Sequence, residues 1–120
     1  MARSKEALDK IDQVSPCRYG APIVLIVCSD KDVACVLDDY STYEMDACIV
    51  ATHMMLEATN IGLDNIWIER FNKQELKKQF HLEDHIEPIC LISIGYKAED
   101  CPDNPFHHQR KDLKDTVKFI

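Results

Sequence analysis

The sequence predicts an α+β fold, in which helices pack against a small β-sheet. Two apolar runs, Ile23–Cys28 and Ile89–Gly95, are rich in β-branched residues and have the length of buried strands. Before and between them, apolar residues recur at helical spacing and capping residues mark where helices begin. Strands separated by helices in so short a chain indicate one layered domain.

The size and charge of the chain limit its function classes. Its 120 residues, 46% of them hydrophobic, suffice for a single domain, residues 1–120, with a real core. The formal net charge of −7 lacks the basic footprint of a nucleic-acid binder, so we expect no nucleic-acid partner. No apolar run has the roughly 18 residues that cross a bilayer, and the N-terminus does not resemble a signal peptide. We therefore expect a cytoplasmic protein with no membrane partner.

The six cysteines, at positions 17, 28, 35, 48, 90 and 101, include no C-x-x-C pair. Zinc and redox motifs depend on such close spacing, so all six are expected to be reduced. Cys101, His107 and His108 share one polar segment, and a zinc site there is the alternative to a solvated loop.

The first predicted helix covers Ser4–Val14, where apolar residues follow a helical period until Ser15-Pro16 ends the pattern. The run Ile23–Cys28 is expected to be a central strand that is covered on both faces. Asp30–Tyr40 is then expected to be an irregular surface connection. Its start resembles a calcium loop, but Cys35 stands where an EF-hand requires Gly, so that interpretation fails.

The longest predicted helix begins at Ser41, because Ser41 and Glu44 have the S-x-x-E spacing of a capping box. From Ala47 to Ala58 only three residues are polar, whereas a surface helix needs a polar stripe over about half its circumference. We expect this helix to be enclosed on most sides and to end at Gly62, which can take the left-handed conformation. His53 within it is expected to be a hydrogen-bonded core histidine.

A short strand and a capped helix follow. Ile66–Ile68 is β-branched and aromatic, and Asn72 followed by Glu75 indicates the cap of a helix over Lys73–Phe80. Pro88 is expected to be the first residue of the next strand, where it costs no ladder hydrogen bond.

The C-terminal part of the chain has little to bury. Lys97–Lys111 contains two prolines and many charges and is expected to be an extended loop. Thr116–Ile120 alternates in side-chain character, which predicts a short terminal strand.

Four segments, taken in order, resemble the FMN-dependent nitroreductase family: DACIVATHMMLEA, GLDNIWIERF, PICLISIGY and HHQRKDL. The resemblance covers nearly the whole chain from Glu6 onward and implies the C-terminal two-thirds of that family's domain, with a mixed β-sheet. The family's R-x-S-x-R segment and its P-S/T-x-x-N-x-Q-P loop have no counterpart here, which implies a member truncated at its N-terminus. A shortened chain, an internal start site and a gene remnant are all open explanations.

The resemblance also assigns a candidate flavin site. In the family, backbone N–H groups near the end of one strand face flavin N5 and O4, and this strand end maps onto Trp67, Ile68, Glu69 and Arg70. Many relatives have Gly at the position of Arg70, whose side chain can either block the ring or reach a flavin oxygen. Arg110 matches a late arginine that contacts the FMN phosphate, and His108 lies where some relatives carry lysine.

The activity that the resemblance implies is FMN-mediated, NAD(P)H-dependent reduction of nitroaromatic, quinone-type or similar acceptors. If the resemblance is set aside, the residues from Trp67 to Arg70 are interpreted as a strand end with exposed charges, and Arg110 is interpreted as a solvated loop residue. The family contacts that have no counterpart here include charge-assisted hydrogen bonds to phosphate, so we expect weak or no FMN binding and little reductase activity. The competing hypothesis is a non-catalytic homodimeric remnant that does not bind flavin.

A homodimer is expected, because a largely apolar helix in so short a chain leaves a face that the other elements cannot cover. The family has the corresponding helix at its two-fold interface, and here the interface is expected to include Val50, Met54 and Met55. Family members extend their C-termini across to the partner, so Thr116–Ile120 is expected to pair with the partner chain.

Overall fold

The computed structural model describes all 120 residues and confirms the α+β class. The helices are α1 (Lys5–Val14), α2 (Tyr43–Asn60), α3 (Lys73–Gln79) and α4 (Leu113–Thr116), with a 3-10 turn over Pro105–His107. The strands are β1 (Ile23–Asp30), β2 (Val36–Leu37), β3 (Tyr40–Ser41), β4 (Asp64–Ile68) and β5 (Ile86–Gly95). None of the helices has the length and apolarity that crossing a membrane requires.

The main sheet has three strands in the order β1, β5, β4. Both pairings are antiparallel, so this chain supplies no parallel pair to the mixed sheet that was expected. The expectation that β1 is central was wrong, because its outer edge carries only the isolated bridge between Ala2 and Val24. A continuous apolar run predicts that both faces of a strand are covered by other parts of the protein. It does not indicate whether both edges of the strand are paired with neighbouring strands.

β5 is the central strand and begins at Ile86, two residues before the predicted start at Pro88. Pro88 lies within the strand opposite Cys28, at the point where the register between β1 and β5 shifts. The shift leaves Ile89 as the extra residue of a β-bulge. A bulge disrupts the ladder locally, which accommodates a proline that has no N–H to donate.

The core covers both faces of the sheet, because successive side chains of β5 point to opposite sides. On one face Leu91 and Val24 pack with α1 and α3, and on the other Cys90 and Ile92 pack with α2. Only 16 of the 120 residues are buried, so much apolar surface stays exposed. All six cysteines are free, and burial raises the pKa of the Cys90 thiol to about 12, as expected for a cysteine that acts as a small hydrophobe.

α1 and α3 begin where their capping residues predict. The Ser4 hydroxyl accepts a hydrogen bond from Ala7 N at 3.2 Å, and Asn72 Oδ1 accepts one from Glu75 N at 3.0 Å. Each contact satisfies a backbone N–H that the first helical turn leaves unpaired.

The capping box predicted at Ser41 and Glu44 does not form. Ser41 ends β3 instead, its buried hydroxyl has no hydrogen-bond partner, and α2 begins at Tyr43. The hairpin of β2 and β3 also replaces the irregular connection that was predicted before it. The other end of α2 is as predicted, since Gly62 has a φ of 83° and Leu63 N donates to Ala58 O at 2.9 Å.

Within one chain, α2 is not enclosed on most sides. It buries only Ala47, Ala51 and Ala58. Six large apolar residues of the helix and its C-cap are exposed: Met45, Ile49, Val50, Met54, Leu56 and Ile61. The scarcity of polar residues in α2 indicates that its apolar surface must be buried. It does not indicate whether the same chain or another chain buries that surface.

His53 is hydrogen-bonded as expected, with Nδ1 2.8 Å from Ile49 O, but it is exposed and does not belong to the core. Its partner is the carbonyl one turn earlier in α2.

Residues 96–120 are exposed along their whole length. The predicted terminal strand is wrong for the single chain, because Thr116 ends α4 and residues 117–120 have no regular structure. Near its start this segment is attached by Lys97 N, which donates to Asp64 Oδ2 at 2.8 Å.

Candidate functional site

The end of β4 and the loop after α1 enclose a groove of about 290 Å³. It is lined by Cys17, Tyr19, Ile66, Trp67, Ile68, Glu69 and Arg70. The structure therefore brings the four strand-end residues singled out in the sequence to one concave surface, together with two residues from a distant loop.

The backbone just after β4 has two hydrogen-bond donors without protein acceptors. Neither Glu69 N–H nor Arg70 N–H donates to any atom of the chain, although the residue after them does: Phe71 N donates to Glu69 O at 3.1 Å. Buried backbone donors are almost always paired, and Glu69 and Arg70 are exposed, so their N–H groups are available to water or to a ligand. Two consecutive free donors at the rim of a groove can bind a ligand that presents adjacent acceptor atoms.

The end of α1 fixes this segment in place. Ser15 Oγ donates to Arg70 O at 2.8 Å, and Asn72 N donates to Val14 O at 2.9 Å. Ser15 is buried, and its hydroxyl also accepts a hydrogen bond from Cys17 N at 3.2 Å. The same hydroxyl therefore contacts the loop after α1 and the segment after β4, which form the two walls of the groove. These hydrogen bonds fix the backbone that carries the two free donors, which reduces the ordering cost of binding a ligand.

The side chains of the groove form a mixed apolar and charged lining. Trp67 Nε1 donates to Glu69 Oε1 at 3.2 Å, which holds that carboxylate beside the indole ring. Cys17, as a hydrogen-bond partner and a neighbouring charge, raises the pKa of the Tyr19 phenol, and the Arg70 guanidinium opposes the shift. Tyr19 has a φ of 55°, so an exposed aromatic ring is held at the rim by a strained backbone.

The structure does not bring Arg110 and His108 to this groove within one chain. Arg110 Nη1 donates to His107 O at 2.9 Å and to Gln109 O at 2.7 Å, and His108 Nε2 lies 3.9 Å from Asp103 Oδ2. Both side chains therefore contact their own exposed segment.

In the single chain, Cys101, His107 and His108 do not come together as a group of metal ligands.

Sequence reasoning missed Cys17 and Tyr19. The turn residues Pro16 and Gly20 predict a loop, but no local pattern shows that this loop packs against a strand roughly 50 positions later. The link is Ser15, whose hydroxyl reaches Arg70 across that distance.

A larger groove, of about 570 Å³, lies between β1 and α2. Ten of its 13 lining residues are hydrophobic, and they include the predicted interface residues Val50 and Met54. It runs beside the outer edge of β1, which has only the one bridge from Ala2. Its lining suits a partner chain better than a polar cofactor, so the smaller groove is the candidate cofactor site.

Comparison with known proteins identifies the class. The family model described as "Nitroreductase family" matches residues 15–96, which is more than half of the chain. The chain belongs to the nitroreductase family.

Individual relatives agree with this assignment. A crystal structure of a nitroreductase family protein from Clostridium difficile 630 superposes with a TM-score of 0.89 at 32% identity, covering 98% of this chain and 69% of that one. YodC of Bacillus subtilis (strain 168), described as a candidate NAD(P)H nitroreductase, is 37% identical over 51 residues, which are 42% of this chain and 25% of that protein. A candidate NAD(P)H:FMN oxidoreductase from Staphylococcus epidermidis matches at 28% identity with a TM-score of 0.57, over 65% of this chain and 35% of the other. The match to the curated relative thus spans a quarter of its length.

Proposed function

We propose that the chain is an oxidoreductase that uses FMN and NAD(P)H to reduce nitroaromatic, quinone-type or similar acceptors. The observation that carries the proposal is the pair of free N–H donors at Glu69 and Arg70, at the strand end that the family resemblance assigns to the flavin ring. The description of the Staphylococcus epidermidis relative as an NAD(P)H:FMN oxidoreductase supports the same pair of cofactors. Bound FMN would supply the hydride chemistry, and the protein would supply binding and orientation.

The residues of the groove have distinct tasks in this proposal. The N–H groups of Glu69 and Arg70 would donate to neighbouring acceptor atoms on the ring edge, at positions fixed in advance by Ser15. Trp67 and Tyr19 would cover part of the ring and exclude water from it. The Arg70 side chain lies where it would either cover the ring or donate to one of its oxygens.

Arg110 and His108 would bind the FMN phosphate from the partner chain of a homodimer. The segment that carries them is exposed and is attached near its start by Lys97, so it has the freedom to reach a second copy. A guanidinium suits bidentate phosphate contact, and Arg110 contacts only backbone carbonyls in the single chain. We also propose a cytoplasmic location, where NAD(P)H is available and six free thiols stay reduced.

The test of the site is an FMN titration of the 120-residue chain, followed by fluorescence quenching. Arg70→Pro removes the N–H donor and the side chain, whereas Arg70→Ala removes the side chain alone. One neutral hydrogen bond is worth about 0.5–1.5 kcal/mol, so the proline variant is expected to bind roughly 2- to 10-fold more weakly than the alanine variant. Equal affinities of the two variants would contradict a role for the backbone donor.

The overall affinity tests the function itself. Of the phosphate contacts that the resemblance assigns, this chain carries Arg110 and His108, so we expect FMN binding weaker than micromolar and reduced further in Arg110→Ala. Arg70→Gly separates the two roles of the Arg70 side chain, because affinity rises if the guanidinium blocks the ring and falls if it contacts the ring. Complete absence of binding, with no FMN-dependent NAD(P)H oxidation, would favour the competing hypothesis of a remnant that keeps the fold without the cofactor.

A further inference from the structure

Two carboxylates and one imidazole come together at the C-terminal end of β1. Asp30, Asp32 and His85 each offer one ligand atom, and these atoms lie within 4.8 Å of one another. None of the three lines the groove at the end of β4. The Asp30-Lys31-Asp32 segment fails as an EF-hand on sequence spacing, but the fold brings it a nitrogen ligand from the other side of the β1–β5 ladder.

Backbone hydrogen bonds hold the cluster together. Asp30 pairs with Ile86 in the register of β1 and β5, and Lys31 N donates to His85 O at 3.0 Å. Asp32 N donates to Asp30 Oδ1 at 2.9 Å, which orients that carboxylate and leaves its second oxygen free. Backbone pairing therefore sets Asp30 beside His85, and the hydrogen bond from Asp32 N holds Asp32 next to Asp30.

The ligand atoms are not engaged by other groups. Asp30 Oδ2 lies 3.9 Å from His85 Nε2, which is longer than a hydrogen bond. Neither Asp30 nor Asp32 forms an ion pair with a lysine or arginine, and the ammonium of Lys31, which lies between them in the sequence, is 3.8 Å from Glu87 Oε2.

A third carboxylate, that of Glu83, lies behind the imidazole. Glu83 Oε2 lies 3.5 Å from His85 Nδ1, on the opposite side of the ring from Asp30. Histidines that bind metals usually present their second nitrogen to a carboxylate or carbonyl in this way, which fixes the tautomer and directs the other nitrogen at the metal.

We propose that Asp30, Asp32 and His85 form a binding site for a divalent transition-metal ion such as Zn²⁺. Zinc accepts histidine nitrogen and carboxylate oxygen at about 2.0–2.2 Å, whereas Ca²⁺ requires six to eight oxygen ligands. Ligand atoms that surround such an ion lie roughly 3–3.5 Å apart, so small rotations of these partly exposed side chains close the site. Water fills the coordination positions that the three side chains leave open.

The test is calorimetric titration of the whole chain with Zn²⁺. Exposed Cys35 and Cys101 can also bind zinc, so the protein carries Cys35→Ser and Cys101→Ser in every measurement. We expect one ion per chain, with affinity at least about tenfold weaker in Asp32→Asn and in His85→Gln. The matched controls are Asp39→Asn and His81→Gln, which remove an exposed carboxylate and an exposed imidazole outside the cluster and are expected to leave the affinity unchanged.

Imidazole NMR signals give a second readout. Zinc is expected to shift the signals of His85 and not those of the other four histidines. If His85→Gln disturbs the fold, the exposed Asp32→Asn variant still decides the matter. No saturable zinc binding, the same affinity in the cluster variants as in the controls, or zinc-induced shifts at other histidines in place of His85 would each overturn the proposal.

Discussion

Two buried serines, Ser15 and Ser93, differ in the hydrogen bonding of their hydroxyls. Ser15 is 2% exposed and its hydroxyl donates to Arg70 O, whereas Ser93 is 3% exposed and its hydroxyl has no partner. Ser15→Ala is expected to lower the free energy of unfolding by about 1–3 kcal/mol, because it leaves the Arg70 carbonyl and the Cys17 N–H without their partner. Urea unfolding followed by circular dichroism measures the change.

Ser93→Ala is the matched control at the same burial. It removes a hydroxyl that pays a desolvation cost without a hydrogen bond, so stability is expected to stay the same or to rise by about 1 kcal/mol. A loss as large as that of Ser15→Ala would show that the two hydroxyls do not differ in the way described.

The Asp12–Arg18 pair predicts a stability change with pH. Arg18 donates from Nε and Nη2 to the two carboxylate oxygens at 2.7 and 2.6 Å, and this hydrogen bonding lowers the pKa of Asp12. Stabilisation from a lowered pKa is present above the unfolded-state value of about 3.9 and is lost as the pH falls through the folded-state value. Asp12→Asn is therefore expected to destabilise the protein at pH 7, and the difference is expected to shrink as the pH falls below about 3.9.

The size of this effect is limited, because the Asp12 side chain is 44% exposed and solvent screens the pair. We expect less than about 1 kcal/mol at pH 7. Asp39→Asn, which changes an exposed carboxylate in the β2–β3 turn, is the matched control. A constant difference between Asp12→Asn and the unmodified protein from pH 7 to pH 3 would argue against the ion pair.

At the scale of single elements, α3 begins with a side-chain cap and α2 begins without one, so substitutions at the two helix starts are expected to lower stability by different amounts. Asn72→Ala removes the side-chain cap of α3 and is expected to cost about 1 kcal/mol of stability. Thr42→Ala removes a residue that makes no capping hydrogen bond to α2, although its hydroxyl donates to Asp46, so a smaller loss is expected. Thermal unfolding of the two variants side by side measures the difference, and an equal loss would contradict it.

Elements defined by local signals were predictable from the sequence. Ser4 and Asn72 mark the starts of α1 and α3 because a cap acts on the next three residues. Ser41 has an equally good local signal, but strand pairing with Val36 takes it out of the helix start. The edge position of β1 was also missed, since strand order depends on contacts between residues that are distant in the sequence.

The residues of the candidate site also differ in whether local sequence signals could predict them. The strand end from Trp67 to Arg70 could be located, because one continuous segment carries the family resemblance. Tyr19 could not be found, because its place at the groove depends on the long-range hydrogen bond of Ser15. The role of Arg110 still rests on a second chain, so it stays a prediction.

For the whole molecule, the exposed face of α2 predicts a homodimer. The radius of gyration is 16.6 Å, whereas a compact chain of this length has about 14 Å, and the large apolar residues of α2 are exposed in the single chain. Met45, Ile49 and Leu56 lie on the side of α2 opposite the buried alanines and add to the predicted interface residues Val50 and Met54. Ile49→Glu is expected to convert a dimer to a monomer in light scattering, because it places a charge in an apolar interface.

The control for this variant is Gln74→Glu, which adds the same charge at an exposed position of α3 and should leave the dimer intact. Met55 is a weaker test, since it packs partly against the chain's own core. If light scattering shows that the unmodified protein is monomeric at micromolar concentration, the predicted dimer is refuted.

The open edge of β1 predicts a role for the C-terminal segment. Val117, Phe119 and Ile120 are exposed, and Val117 already has extended backbone angles of −125° and 132°. In a dimer this segment can pair with the partner and cover an edge that would otherwise attract other strands. Deleting residues 113–120 is expected to weaken self-association in sedimentation equilibrium, and unchanged association would count against strand exchange.

Pro88 has a consequence for how the sheet assembles. β1 and β5 are both apolar over most of their length, so their side chains alone would tolerate several alignments during folding. A proline cannot donate to the ladder, and the bulge opposite Cys28 is the place where this does no harm. In a slipped alignment Pro88 would face a carbonyl that lacks a donor, in the middle strand of the sheet. Pro88 therefore favours the native alignment of β1 and β5 over alignments shifted along the strands.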